Sequence, residues 1–119
     1  MDIEALKPDI LGQFTGTENY WGLPLTRCKM TDGVNYLAEN ADCFWLVEKI
    51  AFSQIENPYA DNPDFQVWRL VVKDGEGYLT CTDGDEGVLS EEVITYTDFP
   101  LPEVVIWYQH NVLLLPSEY

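Results

Sequence analysis

The sequence predicts an α+β domain with N-terminal helices packed on one face of an antiparallel β-meander. Two observations support this fold class. Apolar residues recur at helical spacing between residues 34 and 51, and after residue 65 the chain divides into short β-rich runs separated by Gly, Pro and Asp turns. The 119 residues, of which 46% are hydrophobic, suit a single domain over residues 1–119 with one core.

The N-terminal quarter predicts little regular structure. Residues 1–13 predict a flexible helical arm that is interrupted at Pro8, because proline lacks the backbone N–H that a helix interior requires. The segment FTGTENYWGLPL (14–25) is rich in Gly, Thr and aromatic residues, and predicts irregular backbone or a short edge strand. The alternating segment TRCKM (26–30) predicts a strand.

Two apolar stripes predict helices. Thr31 and Asp32 are N-cap candidates, because their side-chain oxygens can accept from the first free N–H groups of a helix. The apolar residues after them share one helical face: Val34, Leu37, Ala38 and Ala41. Asp42 is a second N-cap candidate, and the same stripe is repeated after it: Cys43, Leu46, Val47, Ile50 and Ala51. We therefore predict two helices, or one helix broken near residues 40–42.

The rest of the chain predicts strands and turns. Residues 55–64 contain two Asn-Pro pairs and predict a loop, since the residue before proline avoids the helical conformation. The β-rich segments that follow predict five strands, at residues 65–73, 78–82, 91–97, 103–109 and 112–116. The connections between them contain turn residues: DGEG (74–77), DGDEG (83–87), DFPLP (98–102) and HN (110–111).

Net charge is the outlying property of the sequence. Six Lys and Arg residues oppose 21 acids, which gives a net charge of −15. Residues 1–73 hold six bases and eleven acids, net −5, whereas residues 74–119 hold ten acids and no base, net −10. Such a field repels nucleic acid and anionic membranes, and it attracts basic proteins and cations. Solubility alone is the alternative explanation.

The densest acidic segment provides the candidate binding surface. Its carboxylates are Asp74, Glu76, Asp83, Asp85, Glu86, Glu91 and Glu92. An EF-hand needs Gly at loop position 6 and Glu at position 12. With Asp83 at position 1, position 6 is Val88; with Gly87 at position 6, position 12 is Val93, so both registers fail. A looser Ca²⁺ or Mg²⁺ site remains an alternative, formed by three acids: Asp83, Asp85 and Glu86.

Other chemistries find little support in the sequence. His110 is the one histidine, and the three cysteines (Cys28, Cys43 and Cys81) form no CxxC pair, so neither a zinc site nor a Cys-His nucleophile is indicated. The odd cysteine count predicts reduced thiols in a cytoplasmic protein. Acidic residues around the glycines argue against a phosphate cradle. We predict no catalytic residue, no metal ligand and no cofactor.

Two further patterns concern surfaces. Trp107 and Tyr108 are adjacent in a predicted strand and must face opposite sides of the sheet, so some aromatic rings should be partly exposed. If the chain is extended at Asp74/Glu76 and Asp83/Asp85, the carboxylates of each pair lie about 6.6–7 Å apart on one face. A regular row of this kind would resemble the charge pattern of DNA.

Five segments together resemble an uncharacterised family of small bacterial, cyanobacterial and phage proteins. They are FTGTENYW (14–21), TDGVNYLAENA (31–41), FWLVEKIAFSQ (44–54), YTDFPLP (96–102) and VLLLPSEY (112–119). The resemblance implies a stand-alone domain of this size in a prokaryotic or mobile-element setting, without an assigned activity and without catalytic residues to transfer.

The sequence therefore predicts a soluble, cytoplasmic, non-enzymatic domain that binds a macromolecule. The expected partner is a basic protein, with no nucleic-acid or membrane binding, and the chain would act as an inhibitor or DNA mimic in a mobile-element setting. The alternative is a small divalent-cation-dependent protein or enzyme that uses clustered carboxylates. A homo-oligomer joined through the aromatic strand residues is a third alternative.

Overall fold

The computed structural model describes residues 4–56, 65–85 and 87–119. The helices are α1 (Pro8–Leu11), α2 (Asp32–Ala41) and α3 (Phe44–Glu56). The strands are β1 (Tyr20–Gly22), β2 (Lys29–Thr31), β3 (Phe65–Lys73), β4 (Glu76–Thr82), β5 (Val88–Ile94), β6 (Glu103–Gln109) and β7 (Val112–Leu114). Short 3₁₀ turns span Glu4–Leu6 and Pro116–Glu118.

The seven strands form one sheet in the order β1-β2-β7-β6-β3-β4-β5. All neighbours are antiparallel except β2 and β7, which are parallel. The α+β class is confirmed. The predicted order of helices before strands is wrong in part, because β1 and β2 precede α2. The meander is limited to β3, β4 and β5, since β6 returns to pair with the other side of β3.

Both predicted helices form, with one cap misassigned. Thr31 is the N-cap of α2, and its hydroxyl oxygen accepts from the Val34 N–H at 3.3 Å. Asp42 was predicted to begin α3 but instead ends α2 in the left-handed conformation (φ 51°). Its own N–H and that of Cys43 both donate to the Ala38 carbonyl, which leaves Asp42 where a helix C-terminus needs positive φ. Aspartate tolerates this conformation better than most residues.

The core lies between the helices and one face of the sheet. All nine residues of the two predicted helical stripes are buried, as are Leu70 of β3 and Ile106 of β6. A pair of glutamines ties α3 to the sheet, because the amides of Gln54 and Gln66 hydrogen-bond reciprocally at 2.9 Å. The indole of Trp68 also donates to the buried Gln66 oxygen at 2.9 Å.

The turns behave largely as predicted, whereas some boundaries move. Asp74 and Gly75 both have positive φ (53° and 76°), as a tight two-residue hairpin requires. His110 and Asn111 form the β6–β7 turn in the same way (φ 49° and 67°). The strand predicted at 91–97 is displaced, since β5 spans Val88–Ile94. Of the predicted loop 55–64, the first two residues belong to α3 and the others lie outside the described residues.

The N-terminal arm contacts the rest of the molecule. Leu6 is only 1% exposed and belongs to the core, and Leu11 packs against that core. The hydrophobic effect therefore favours contact of Leu6 and Leu11 with the core. Among the described helices, none is long and apolar enough to cross a membrane.

Candidate functional site

The candidate acids lie along the β4–β5 hairpin and the β3–β4 turn that precedes it, at an edge of the sheet. β5 is the last strand in the sheet order and is exposed over nearly its whole length. Residues 74–94, which include this hairpin, contain no Lys, Arg or His. Of the seven predicted site residues, Glu86 lies outside the described part of the chain, and the other six are exposed or half-exposed.

Two of the six acids lie at the β3–β4 turn. Asp74 is exposed at the tip of this turn. Glu76 begins β4, and its carboxylate accepts a hydrogen bond from the Tyr78 hydroxyl. This hydrogen bond and the charge of Glu76 raise the pKa of the Tyr78 phenol. The Tyr78 hydroxyl therefore stays protonated and keeps donating to the Glu76 carboxylate.

Two more acids lie at the opposite end of β4, where the chain turns into β5. One carboxylate oxygen of Asp83, Oδ1, accepts from the backbone N–H groups of Asp85 and Gly87, at 2.9 and 3.2 Å. Asp83 thus holds its own loop together, as short polar side chains commonly do in turns. Asp85 is exposed.

The last two acids lie in the middle of β5 and face opposite sides of the sheet. Glu91 pairs in register with Thr80, on the face that the helices leave open, and Glu92 pairs with the buried Leu79 on the helix face. The carboxylate of Glu92 forms an ion pair with the Lys49 ammonium of α3 at 2.7 Å. The acids therefore form a border along the hairpin and not one compact cluster.

The condition for a regular DNA-like row is not met. Asp74 has a positive φ of 53° and lies outside β4, so Asp74 and Glu76 are not consecutive same-face residues of an extended strand. Asp83 and Asp85 flank Gly84, whose φ of 89° turns the chain. The backbone turns at both ends of β4, so neither pair of acids has the extended backbone that an even spacing of carboxylates needs.

A groove of about 630 Å³ lies between α3 and the β4–β5 edge. Trp45 and Phe52 line its helix side and are half-buried. Leu79 lies at its floor, and Ser90 and Glu92 line its strand side. The groove therefore joins apolar surface to the acidic border of β5.

The face of the sheet opposite the helices carries a second concave surface. Val67, Arg69 and Trp107 line it, and its volume is about 580 Å³. Trp107 packs edge-on against Phe65 and Tyr119, with ring centroids 5.2 and 5.3 Å apart. The prediction that Trp107 and Tyr108 face opposite sides is confirmed, because Tyr108 is buried on the helix face.

The cysteines are free and buried. Burial raises the pKa of the Cys43 and Cys81 thiols to about 12, with the Asp42 charge adding to the effect at Cys43, and burial also raises the pKa of Cys28. The thiolate is the reactive form of cysteine, so these environments disfavour nucleophilic chemistry. His110 lies exposed at the β6–β7 turn. Among the described residues, no three His, Cys, Asp or Glu side chains converge as a metal site would require.

Two carboxylates organise the other end of the sheet: Asp32, which the sequence indicated only as an N-cap candidate, and Glu118, which sequence reasoning missed. Asp32 accepts hydrogen bonds from the Trp21 indole and from the backbone N–H groups of Glu18 and Asn19. Glu118 is buried, and accepts from the Thr31 hydroxyl and the backbone N–H groups of Gly33 and Leu115. No spacing rule identifies this contact, since Thr31 and Glu118 are 87 residues apart.

Comparison with known proteins yields one match over nearly the whole chain and two partial ones. The model of a family of unknown function, DUF6876, matches residues 6–119. Two proteins named alkyl hydroperoxide reductase AhpD, from Bradyrhizobium sp. strains ORS 278 and BTAi1, are 34% and 36% identical over 59 and 56 residues. These matches include 50% and 47% of this chain but only 33% and 31% of the relatives. The chain thus spans about a third of the length of these relatives, and no solved structure matches it.

Proposed function

The chain belongs to DUF6876, a family of unknown function, and we propose that it is a non-enzymatic domain that binds a basic protein through its β4–β5 hairpin. One observation supports this function above the others. The exposed edge strand β5 and the two turns at the ends of β4 present carboxylates along a stretch, residues 74–94, that contains no basic residue.

Electrostatics gives the reason for a basic partner. The net charge is −15, and two-thirds of it belongs to residues 74–119. A surface of one sign speeds encounter with a partner of the opposite sign and repels partners of its own sign. The three buried thiols, which are free, support a reducing compartment such as the cytoplasm.

Inhibition of a nucleic-acid-binding protein is the narrower form of this proposal. In a phage or plasmid setting, the acidic hairpin would occupy a basic groove that otherwise binds DNA or RNA. Charge supports this form, but the uneven spacing of the acids removes the argument for detailed DNA mimicry. Release of nucleic acid from the captured partner, measured as the domain is added, would test it.

Two other activities receive less support from the geometry. The divalent-cation alternative relied on Asp83, Asp85 and Glu86, but an oxygen of Asp83 already accepts two backbone N–H groups. Peroxide reduction is the activity that the names of the partial relatives mention, and a thiol-based form of it would need a reactive cysteine. Burial raises the pKa of the Cys43 and Cys81 thiols to about 12 and also raises the pKa of Cys28, so we do not extend that activity to this chain.

Capture from a host lysate at low and high salt tests the proposed function. We expect a basic protein to bind at low ionic strength and to be released near 1 M salt, where screening shortens the reach of charges to about 3 Å. The double variant Asp85→Asn/Glu91→Gln should weaken capture, because both residues are exposed on the hairpin and its turn.

The matched control removes the same charge elsewhere. Glu18 and Glu39 are exposed outside the hairpin, so the Glu18→Gln/Glu39→Gln variant changes the net charge by the same amount. If both variants lost capture equally, binding would depend on the net charge of the domain and not on the position of the acids. Undiminished capture by the hairpin variant would contradict the proposed function.

A further inference from the structure

We propose that the basic partner binds by strand addition: an extended segment that bears Lys or Arg pairs with the free edge of β5, and its inward side chains lie in the groove beside α3. The basic character of the partner rests on the proposed function. What is new is the mode of binding, the edge that is used and the helix that shapes it.

The backbone of β5 is available for pairing. Within the described residues, β5 pairs only with β4, so its outer row of N–H and C=O groups faces away from the sheet. An edge strand of seven residues is of ordinary length for sheet pairing. Such edges accept extended peptides, in which main-chain hydrogen bonds provide affinity and side-chain pockets provide specificity.

The groove beside α3 provides the pocket. Side chains of an added strand alternate between the two faces of the sheet, so every second residue would point toward α3. There the half-buried rings of Trp45 and Phe52 lie seven residues apart on one side of the helix. These rings offer apolar contact to the stem of a Lys or Arg side chain, whose charged end stays near the rim.

The rim of the groove favours a positive segment. Glu48 of α3 is exposed on one side, and Glu91 and Glu92 of β5 lie on the other. Lys49 is the basic residue that lines this groove, and its ammonium is already paired with Glu92 at 2.7 Å. A basic strand would therefore meet Glu48 and Glu92 on the helix face and Glu91 on the open face.

The same charges disfavour a second copy of this chain as the occupant. Pairing of β5 with β5 would bring Glu91 and Glu92 of one copy close to those of the other, and like charges on facing strands are destabilising. Each copy also carries a net charge of −15. A basic segment removes this repulsion, so we assign it as the occupant.

Two synthetic peptides of about eight residues test the inference, and both alternate Lys and Val. In the second peptide the backbone N–H group of every residue is methylated, which removes the donors on both edges of the extended strand but keeps every charge. We expect the unmodified peptide to bind at least about tenfold more tightly, because strand pairing needs those donors. Hydrogen exchange should slow at β5 amides in the bound domain.

The Lys49–Glu92 ion pair gives an independent test in which the two partners act in opposite directions. Lys49→Gln removes a competing cation and frees the carboxylate, so the unmodified peptide should bind about two- to fivefold more tightly. Glu92→Gln should weaken its binding by a similar factor. If the ion pair only stabilised the domain, both variants would weaken binding or leave it unchanged. Glu39→Gln, on exposed α2 surface, serves as the charge control.

The outcomes separate this inference from the proposed function. Equal, acid-dependent binding of both peptides would overturn strand addition and leave a basic partner supported. No binding of either peptide at low salt would also overturn strand addition, while capture from lysate reports on the proposed function by itself. A dimer in sedimentation experiments that disappears when β5 is altered would identify a second copy as the occupant and would contradict the inference.

Discussion

The two ends of the sheet use carboxylates in opposite ways. At the end formed by β1, β2 and β7, Asp32 and Glu118 each accept three hydrogen bonds that tie distant segments together. At the β4–β5 end, Asp85 and Glu91 are exposed, and Glu92 bonds only to the partly exposed Lys49 among the described contacts. One end uses charge to hold the fold, and the other presents charge to solvent.

The difference shows that the number of acids in a segment does not reveal what they do. N–H and O–H donors converge on Glu118 because the chain returns to the N-terminus of α2 after β7. Among the described contacts, the acids of β5 meet only the Lys49 ammonium, and the side chains of this edge strand are largely exposed to solvent. A carboxylate surrounded by donors stabilises the fold, whereas one without them remains available to a partner.

The largest expected effect comes from Gly33, at the donor-rich end. A Cβ at this position would lie 2.5 Å from Oε1 of Glu118 and 2.9 Å from Cδ1 of Leu115. Gly33→Ala should displace the buried carboxylate from its donors and lower the free energy of unfolding by about 2–4 kcal/mol. Urea denaturation followed by tryptophan fluorescence would measure the change.

Gly16→Ala is the matched control for this substitution. No atom lies within 4 Å of a Cβ built at Gly16, so the free energy of unfolding should change by less than about 0.5 kcal/mol. Equal stability of the two variants would mean that the Glu118 contact does not hold the two chain segments together, and the contrast between the two ends would fail.

Local sequence patterns account for the elements that local physics determines. The buried stripe of α2 and α3, the Thr31 cap and the Asp74–Gly75 turn all depend on residues within a few positions of one another. The order of strands in the sheet was missed because pairing depends on which distant segments share a core. The parallel neighbours β2 and β7 are 83 residues apart along the chain at the Lys29–Val112 pair.

The candidate site was only partly accessible from the sequence for the same reason. Charge density identified the β4–β5 hairpin, and periodicity placed Cys43 on a helical stripe that is buried. The groove beside α3 could not be anticipated, since it depends on how a helix lies over an edge strand. The structural role of Asp83 is local, but it becomes visible only when its oxygen meets the two N–H groups of its own loop.

A smaller effect is expected at Asp83, which resembles the structural acids although it lies in the acidic hairpin. Asp83→Ala removes the acceptor for two backbone N–H groups and should lower the free energy of unfolding by about 1 kcal/mol. Asp83→Asn keeps a side-chain oxygen and should cost less. Thermal or urea denaturation of both variants would measure this order.

Asp85→Ala provides the comparison for Asp83, because the Asp85 side chain is exposed and only its backbone N–H contributes to the loop. Its effect on the free energy of unfolding should stay within about 0.5 kcal/mol. If Asp85→Ala destabilised the domain as much as Asp83→Ala, the hydrogen bonds of Asp83 would not distinguish a structural acid from an exposed one within the hairpin.

The smallest expected effect is a local change with pH at Asp32. The hydrogen bond from Trp21, followed by those from the backbone of Glu18 and Asn19, lowers the pKa of this carboxyl below its usual value. Because the pKa is lower in the folded state, the contribution of these bonds is complete above the unfolded value of about 3.9 and is lost as pH falls through the folded pKa. The Trp21 indole resonance in NMR spectra should therefore shift only below about pH 4, whereas Asp32→Asn should abolish this titration. A Trp21 shift centred well above pH 4 would mean that donors do not stabilise the Asp32 charge, and the contrast between the two ends would then depend on Glu118 alone.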